Sequence, residues 1–228
     1  MPKLNVLIAG STGYIGVQLI KLLIQHKNIN IKYLCGNSSV GKKISSYDTS
    51  LKSKKLPRIT KYNKKYLGNV DIIFTALPNG EAQLISKDLL KKNTLIDLAA
   101  DFRLKKGSDY LRWYKQKHKA LSNIRNSIYA LPEITGKLIK KFNIIGCPGC
   151  YPTSILLPLI PLIQKRSVNL NNIIIDSKSG YSGAGRGVHK KFKNKNLYES
   201  LSAYGVGFHR HNSEIHQELK KNTSSKIN

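Results

Sequence analysis

The stretch Leu4–Gly16, LNVLIAGSTGYIG, decides the fold. A strand-length apolar run passes directly into a glycine turn, and the turn opens a helix-patterned segment, YIGVQLIKLLIQH at 14–26. Gly10, Gly13 and Gly16 recur at three-residue spacing. Glycines so placed permit a tight turn and close backbone approach, letting a pyrophosphate rest on the N–H groups at a helix N-terminus. The spacing departs from G-x-G-x-x-G. The strand–turn–helix context is what makes Gly10, Ser11, Thr12, Gly13, Tyr14, Ile15 and Gly16 a candidate dinucleotide cradle. The plain alternative is a glycine turn that serves only helix-on-sheet packing.

Outward from this turn, short apolar runs alternate with helical segments: IKYLCG at 31–36, VDIIFTAL at 70–77, the helical GEAQLISKDLLKK at 80–92, TLIDLAA at 94–100 and FNIIG at 142–146. Nearly continuous apolar runs are the mark of strands covered on both faces. The expected class is α/β, a Rossmann-type parallel sheet with its ligand at the carboxyl ends of the strands, over residues 1–149. Beyond residue 149 the pattern changes to a helix-like apolar segment, a strand NIIIDSKS at 172–179, a Gly-rich loop, a polar basic stretch and finally AYGVGFHRHNSEIHQELKK at 203–221. This reads as a second, α+β substrate domain over 150–228. Pro158 and Pro161 are expected to kink or shorten the apolar helix.

The end of the second strand reads LCGNSSVGKK, with no carboxylate between Leu34 and Lys43. An NAD enzyme would place an acidic residue there for the ribose 2′-hydroxyl. Asn37, Ser38, Ser39 and Lys42 suit a phosphate instead, so NADP(H) is the expected cofactor.

Composition narrows the function classes. The net charge of +27 comes from 39 Lys and Arg against 12 Asp and Glu, and it invites a nucleic-acid reading. The lysines are spread over the whole chain, which fits a solvated basic surface with weak polyanion binding at low salt and no specific nucleic acid. The densest basic run, residues 52–65, reads as a polar excursion between two strands. Three cysteines argue against a secreted disulfide scaffold. The most apolar run, ILLPLIPLI at 155–163, is too short to span a membrane. A cytoplasmic protein without a membrane partner is expected.

CPGC at 147–150 admits three readings: half of a zinc site, a redox pair, or one catalytic thiol with a neighbour. Zinc needs further ligands, and the remote candidates His209 and His211 flank a guanidinium, Arg210. A thioredoxin-like pair would follow an early strand, whereas this one follows a full nucleotide-binding unit. A thiol nucleophile fits the position, since Pro152 suits a helix start and Cys150 would meet the helix dipole there. No metal is expected.

GSTGYIG, ALPNG at 76–80, ADFRL at 100–104, PGCYPT at 148–153, SGYSGAGR at 179–186 and HRHNSEI at 209–215 stand in the order and approximate spacing of N-acetyl-γ-glutamyl-phosphate reductases, and the chain resembles that family. The resemblance implies NADPH-dependent reduction of an acyl phosphate to N-acetylglutamate 5-semialdehyde with release of phosphate. It places the nucleophile on Cys150 and the acid/base on His209, with His211 the alternative. It adds Leu77, Pro78, Ser182 and Gly183 to the cofactor site and Arg186, Arg210 and His211 to the substrate site. The family carries Asn where Cys147 stands and Pro where Ser213 stands. Its members run about a hundred residues longer, so the substrate domain is expected to be incomplete. The apolar faces that a shortened substrate domain would leave uncovered point to pairing with other chains, as a homo-oligomer. The semialdehyde dehydrogenases of aspartate and lysine metabolism are the nearest alternatives, and a catalytically silent dinucleotide-binding unit is the alternative from another class.

Overall fold

The computed structural model describes residues 2–185 and 200–223. Seven strands form one sheet: β1 (Leu4–Ala9), β2 (Ile29–Cys35), β3 (Ile59–Thr60), β4 (Ile72–Thr75), β5 (Thr94–Asp97), β6 (Ser127–Tyr129) and β7 (Ile144–Gly146), in the order β3-β2-β1-β4-β5-β7-β6. Every pairing is parallel. The order in which strands are added reverses between β1 and β4, so the crevice beyond Ala9 and Thr75 is the topological switch point where such sheets take ligands.

The apolar runs become strands because both faces are covered. Val6 and Ile8 pack on one side with Val17, Ile20 and Leu23 of helix α1 (Tyr14–Leu23), while Leu7 and Ala9 pack on the other with Ala82 and Ile85 of α2 (Glu81–Lys87). Burying each large aliphatic side chain contributes about 1.5–3 kcal/mol. The middle of the chain adds three short helices, α3 (Gly107–Tyr114), α4 (Leu121–Arg125) and α5 (Pro132–Thr135). After β7 come α6 (Cys150–Gln164) and α7 (His211–Asn222). A third cluster joins Leu156, Ile160 and Ile163 of α6 to Leu219 of α7 and to Tyr129 and Leu131 at the end of β6.

Four expectations change. The basic run at 52–65 is not merely an excursion, because it contains β3, which pairs with Leu34 and Cys35. The helix after CPGC starts at Cys150, which places Pro152 third. Its missing N–H is still harmless there, since the first-turn amides have no intrahelical acceptor. That helix also passes straight through Pro158 and Pro161 over 15 residues. Both prolines lie on its exposed face, where the carbonyls they leave unbonded can meet water, and Leu156, Ile160 and Ile163 hold the other face to the core. The strand expected at 172–179 does not form. Residues 173–178 lie beside α6 with no assigned secondary structure and no partner strand among the described residues, and Ile174 is 86% exposed. A strand without a ladder partner gains no backbone bonds.

Candidate active site

Two of the strand–turn–helix junctions at the C-terminal edge of the sheet form the site. The first follows β1. Gly10 takes φ +84, and a Cβ there would lie 2.2 Å from Ala76 O; one at Gly16 would lie 2.3 Å from Gly10 O. These contacts are to backbone that cannot yield, so both positions require glycine. Gly13, the N-cap of α1, has no side-chain cap, and a Cβ on it would meet only Gly10 O at 3.6 Å. The turn is thus tight toward the sheet and open outward, which fits a pyrophosphate laid on a helix N-terminus.

The side chains around it divide. Ser11 is fully buried and donates its hydroxyl to Cys35 O at 3.1 Å, so it ties the turn to β2. Thr12, Tyr14 and Ile15 lie toward the outer side, with Ile15 55% exposed. At the end of β2, Ser38 is exposed, whereas Ser39 is buried and shares a 2.5 Å hydrogen bond with Tyr47. Arg58 donates to Gly41 O and so flanks the same loop. Leu77 and Pro78 lie on the loop entering α2, beside the Gly10 turn. Asp101 anchors that loop by accepting from the N–H groups of Gly80, at 2.7 Å, and Gln83, at 3.3 Å.

The second junction follows β7. Cys147 N–H donates to Asp97 O, and its half-buried thiol is pushed up to about 11 by burial and then by Asp97. Cys150 is the first residue of α6 and is exposed. The two thiols therefore differ in access, and the exposed Cys150 is the one placed to react.

Beside Cys150, the ring of its neighbour Tyr151 meets aromatic groups from distant segments. The Tyr151 ring lies 5.4 Å from His209 and 5.9 Å from His211, centroid to centroid, and the two imidazoles lie 4.8 Å apart. Phe208 stacks on Trp113 of α3 at 4.3 Å, which docks the histidine loop. The His211 N–H donates to His209 Nδ1 at 3.2 Å. An accepting Nδ1 puts the proton of neutral His209 on Nε2. Burial and then Arg210 lower the His209 pKa, in keeping with a neutral ring. His211 is held down at about 3, chiefly by burial, with Arg103, His209 and Arg210 adding to it. Its ring fills the space against Gly149, where a Cβ would lie 2.4 Å from Nε2. Arg210 is exposed and sits 5.5 Å over the Tyr114 ring.

Residues absent from the sequence reading complete the site. Arg103 donates from Nε to Cys147 O at 2.7 Å, from Nη1 to Glu214 Oε1 at 3.1 Å and from Nη2 to Leu98 O at 3.2 Å. Glu214 Oε2 accepts from Gly149 N–H at 3.0 Å and from the Tyr129 hydroxyl at 3.1 Å. Arg103 and Glu214 stand inside ADFRL and HRHNSEI, and a carboxylate in a helix's first turn facing an apolar cluster was the available signal. Ser182 and Gly183 lie exposed in a 3-10 turn, Tyr181–Ala184, in which the Gly183 N–H bonds Gly180 O. Arg186 lies outside the described residues. No group of three or more His, Cys, Asp or Glu among the described residues could hold a metal ion.

Comparison with known proteins agrees with this layout. The semialdehyde dehydrogenase NAD-binding domain matches residues 5–142, and the semialdehyde dehydrogenase dimerisation domain matches residues 150–228. An N-acetyl-gamma-glutamyl-phosphate reductase of Ehrlichia ruminantium is 42% identical over 219 residues, covering 95% of this chain and 63% of the relative. A probable chloroplastic N-acetyl-gamma-glutamyl-phosphate reductase of Arabidopsis thaliana is 38% identical over 96% of this chain and 55% of its own length. The chain thus spans less than two thirds of these relatives. Aspartate semialdehyde dehydrogenase II of Vibrio cholerae, solved with ASA, shares the fold at a TM-score of 0.62 and 15% identity, over 97% of this chain and 66% of that one.

Proposed function

The chain belongs to the semialdehyde dehydrogenase family, and from that premise we propose that it reduces N-acetyl-γ-glutamyl phosphate to N-acetylglutamate 5-semialdehyde through a thioester on Cys150. The observation that carries this reading is the placement of an exposed cysteine as the first residue of α6, on the same sheet edge as the glycine cradle and next to Tyr151, whose ring meets those of His209 and His211. The substrate is taken from the relatives named N-acetyl-gamma-glutamyl-phosphate reductase.

The thiolate of Cys150 attacks the acyl carbon. The C–S bond forms as the bond to the phosphate oxygen breaks, and phosphate leaves with a proton from solvent. Reduced nicotinamide dinucleotide, when bound on the β1 cradle, supplies the hydride that reduces the thioester. His209 directs its Nε2–H at the oxygen that carries negative charge, the role of a neutral imidazole donor. Expulsion of the thiolate re-forms the C=O bond, releases the aldehyde and regenerates Cys150. Arg210, with its exposed guanidinium, and Arg186 are the proposed anion contacts, and His211 the wall behind the nucleophile turn.

NADP is the proposed form of the cofactor, because the loop after β2 offers Ser38, Lys42 and Arg58 and no carboxylate between Leu34 and Lys43. The proposed division is a nucleotide-binding part over 1–149 and a substrate part over 150–228. A homo-oligomer follows from the matched dimerisation domain and from the exposure of Ile174, Leu201 and Val206. Among the described residues no helix is long and apolar enough to cross a membrane, and the three free cysteines suit a reducing compartment such as the cytoplasm.

The test runs the reaction backwards. N-acetylglutamate semialdehyde, NADP⁺ and phosphate should yield NADPH, and Cys150→Ala should abolish it. Activity surviving in that variant would refute the covalent route. Binding of NADP without turnover and without rapid alkylation of Cys150 would leave a dinucleotide-binding unit alone.

A further inference from the structure

We infer that Arg103 and Glu214 form a positioning pair for the nucleophile, which locks the N-cap of α6 to the histidine helix while adding no net charge beside Cys150. The inference rests on the reading of Cys150 as the nucleophile. Arg103 leaves the loop after β5, is 7% exposed, and gripping Cys147 O and Leu98 O it fixes the turn to the sheet. Glu214, fully buried on the first turn of α7, takes the Gly149 N–H, the amide immediately before Cys150. The Tyr129 hydroxyl at the end of β6 supplies its third donor. One carboxylate thus joins the sheet, the nucleophile turn and the helix that carries His211.

A carboxylate alone could make these bonds, but it would set a buried negative charge next to a thiolate and oppose its formation. A guanidinium alone would favour the thiolate but could not accept the Gly149 N–H. The pair does both. Burial works to raise the Glu214 pKa, while Arg103, the Gly149 N–H and the Tyr129 hydroxyl pull it down. Glu214, in turn, keeps Arg103 charged against its own burial. The ion pair is buried on both sides, with side chains 9% and 0% exposed, so removing one partner leaves the other uncompensated.

This separates a positioning pair from a scaffold that merely holds the fold. Among the described residues, the other charged or titratable groups around Cys150 and the pair include Cys147 and Tyr151 from its own turn and helix, Asp97 at the end of β5, Tyr114 of α3, Tyr129 of β6, Tyr204 and His209 from the loop before α7, and Arg210 and His211 at the start of α7. Their identities do not change across the variants, but His211, which Arg103 helps to keep neutral, takes a proton more readily once Arg103 is removed. The rate of iodoacetamide alkylation at Cys150 is followed against pH in the full chain by peptide mapping, for wild type, Glu214→Gln, Arg103→Met and the double variant. Glu214→Gln leaves a lone cation and should move the midpoint of the curve down by about one pH unit, while Arg103→Met leaves a lone anion and should move it up by about as much. The double variant, neutral again, should return the midpoint to within a few tenths of wild type yet keep a turnover rate at least about tenfold low, because the Gly149 N–H has lost its carboxylate. Shifts of the same sign in both single variants, or none in either, overturn the pair. If a single variant does not fold, the double variant decides, and a midpoint displaced from wild type overturns the inference. The underlying reading fails separately, if wild-type Cys150 alkylates no faster than Cys35 or if Cys150→Ala retains activity.

Discussion

The turn after β1 and the turn after β7 leave the same sheet edge, and their helices are capped by glycines in nearly one conformation. Gly13 has φ −69 and ψ 167, Gly149 φ −68 and ψ 166, and neither helix has a side-chain cap. What holds them differs. The Gly13 N–H goes to Gly10 O, three residues back, and the turn is closed by Gly10 and Gly16 against neighbouring backbone. The Gly149 N–H goes to Glu214, 65 residues on, and the turn is closed by Arg103 and the His211 ring. A turn that receives phosphates needs only amides and room. A turn that aims a reactive side chain needs orientation, which side chains from other parts of the chain provide.

The comparison breaks most severely at Gly10. Gly10→Ala forces an L-residue to φ +84 with its Cβ on Ala76 O, and it should destabilise the protein by more than about 2 kcal/mol and abolish NADP binding. Urea denaturation and calorimetry measure the two effects. At the second turn, His209→Asn should lower turnover by about a hundredfold with little change in NADP affinity, since it removes one donor to the reacting oxygen. Steady-state kinetics beside calorimetry would show whether binding and chemistry separate as the two turns do. Gly149→Ala tests the same separation through packing. Its Cβ must displace His211, and turnover should fall about tenfold while NADP binding stays within twofold of wild type.

The second turn should also respond to acid where the first does not. His211 is neutral in the fold down to about pH 3 but takes a proton near 6.5 once unfolded. Between those values the unfolded chain binds the extra proton, so stability rises with pH across the window and is lost as pH falls through it. The difference in urea midpoint between wild type and His211→Asn should therefore shrink steadily from pH 7 to pH 4. The smallest effect is expected outside both turns. Ser38→Ala should weaken NADP binding a few-fold and leave NAD binding unchanged, and equal losses for both would remove Ser38 from the 2′-phosphate contact.

The contrast also explains what could be read in advance. β1, β2, β4, β5 and β7 were legible as apolar runs because strands buried on both faces admit little else, and the cradle was legible because backbone crowding at Gly10 and Gly16 excludes every other residue. β3 and β6 were missed. Ile59–Thr60 and Ser127–Tyr129 are too short for a period and exist only because a neighbouring strand offers a ladder. The segment at 172–179 was misread as a strand for the converse reason, since its pattern has no partner to pair with. Pro158 and Pro161 were expected to kink or shorten α6, and only packing shows that both face outward.

At the site, Cys150 at a helix start could be argued from CYPT, and the histidines from their motif. Ser39, by contrast, suited a phosphate by type and is turned inward to Tyr47. The sequence by itself determined the parallel sheet, the place of the glycine turn after β1 and the identity of the exposed thiol, because those depend on local pattern and on backbone room. Only the tertiary structure decided that Arg103 and Glu214, 111 residues apart, meet behind that thiol, and that His211 fills the space glycine leaves at 149. Charge pairing and close packing act through space, and no local pattern encodes which distant side chains will share one buried volume.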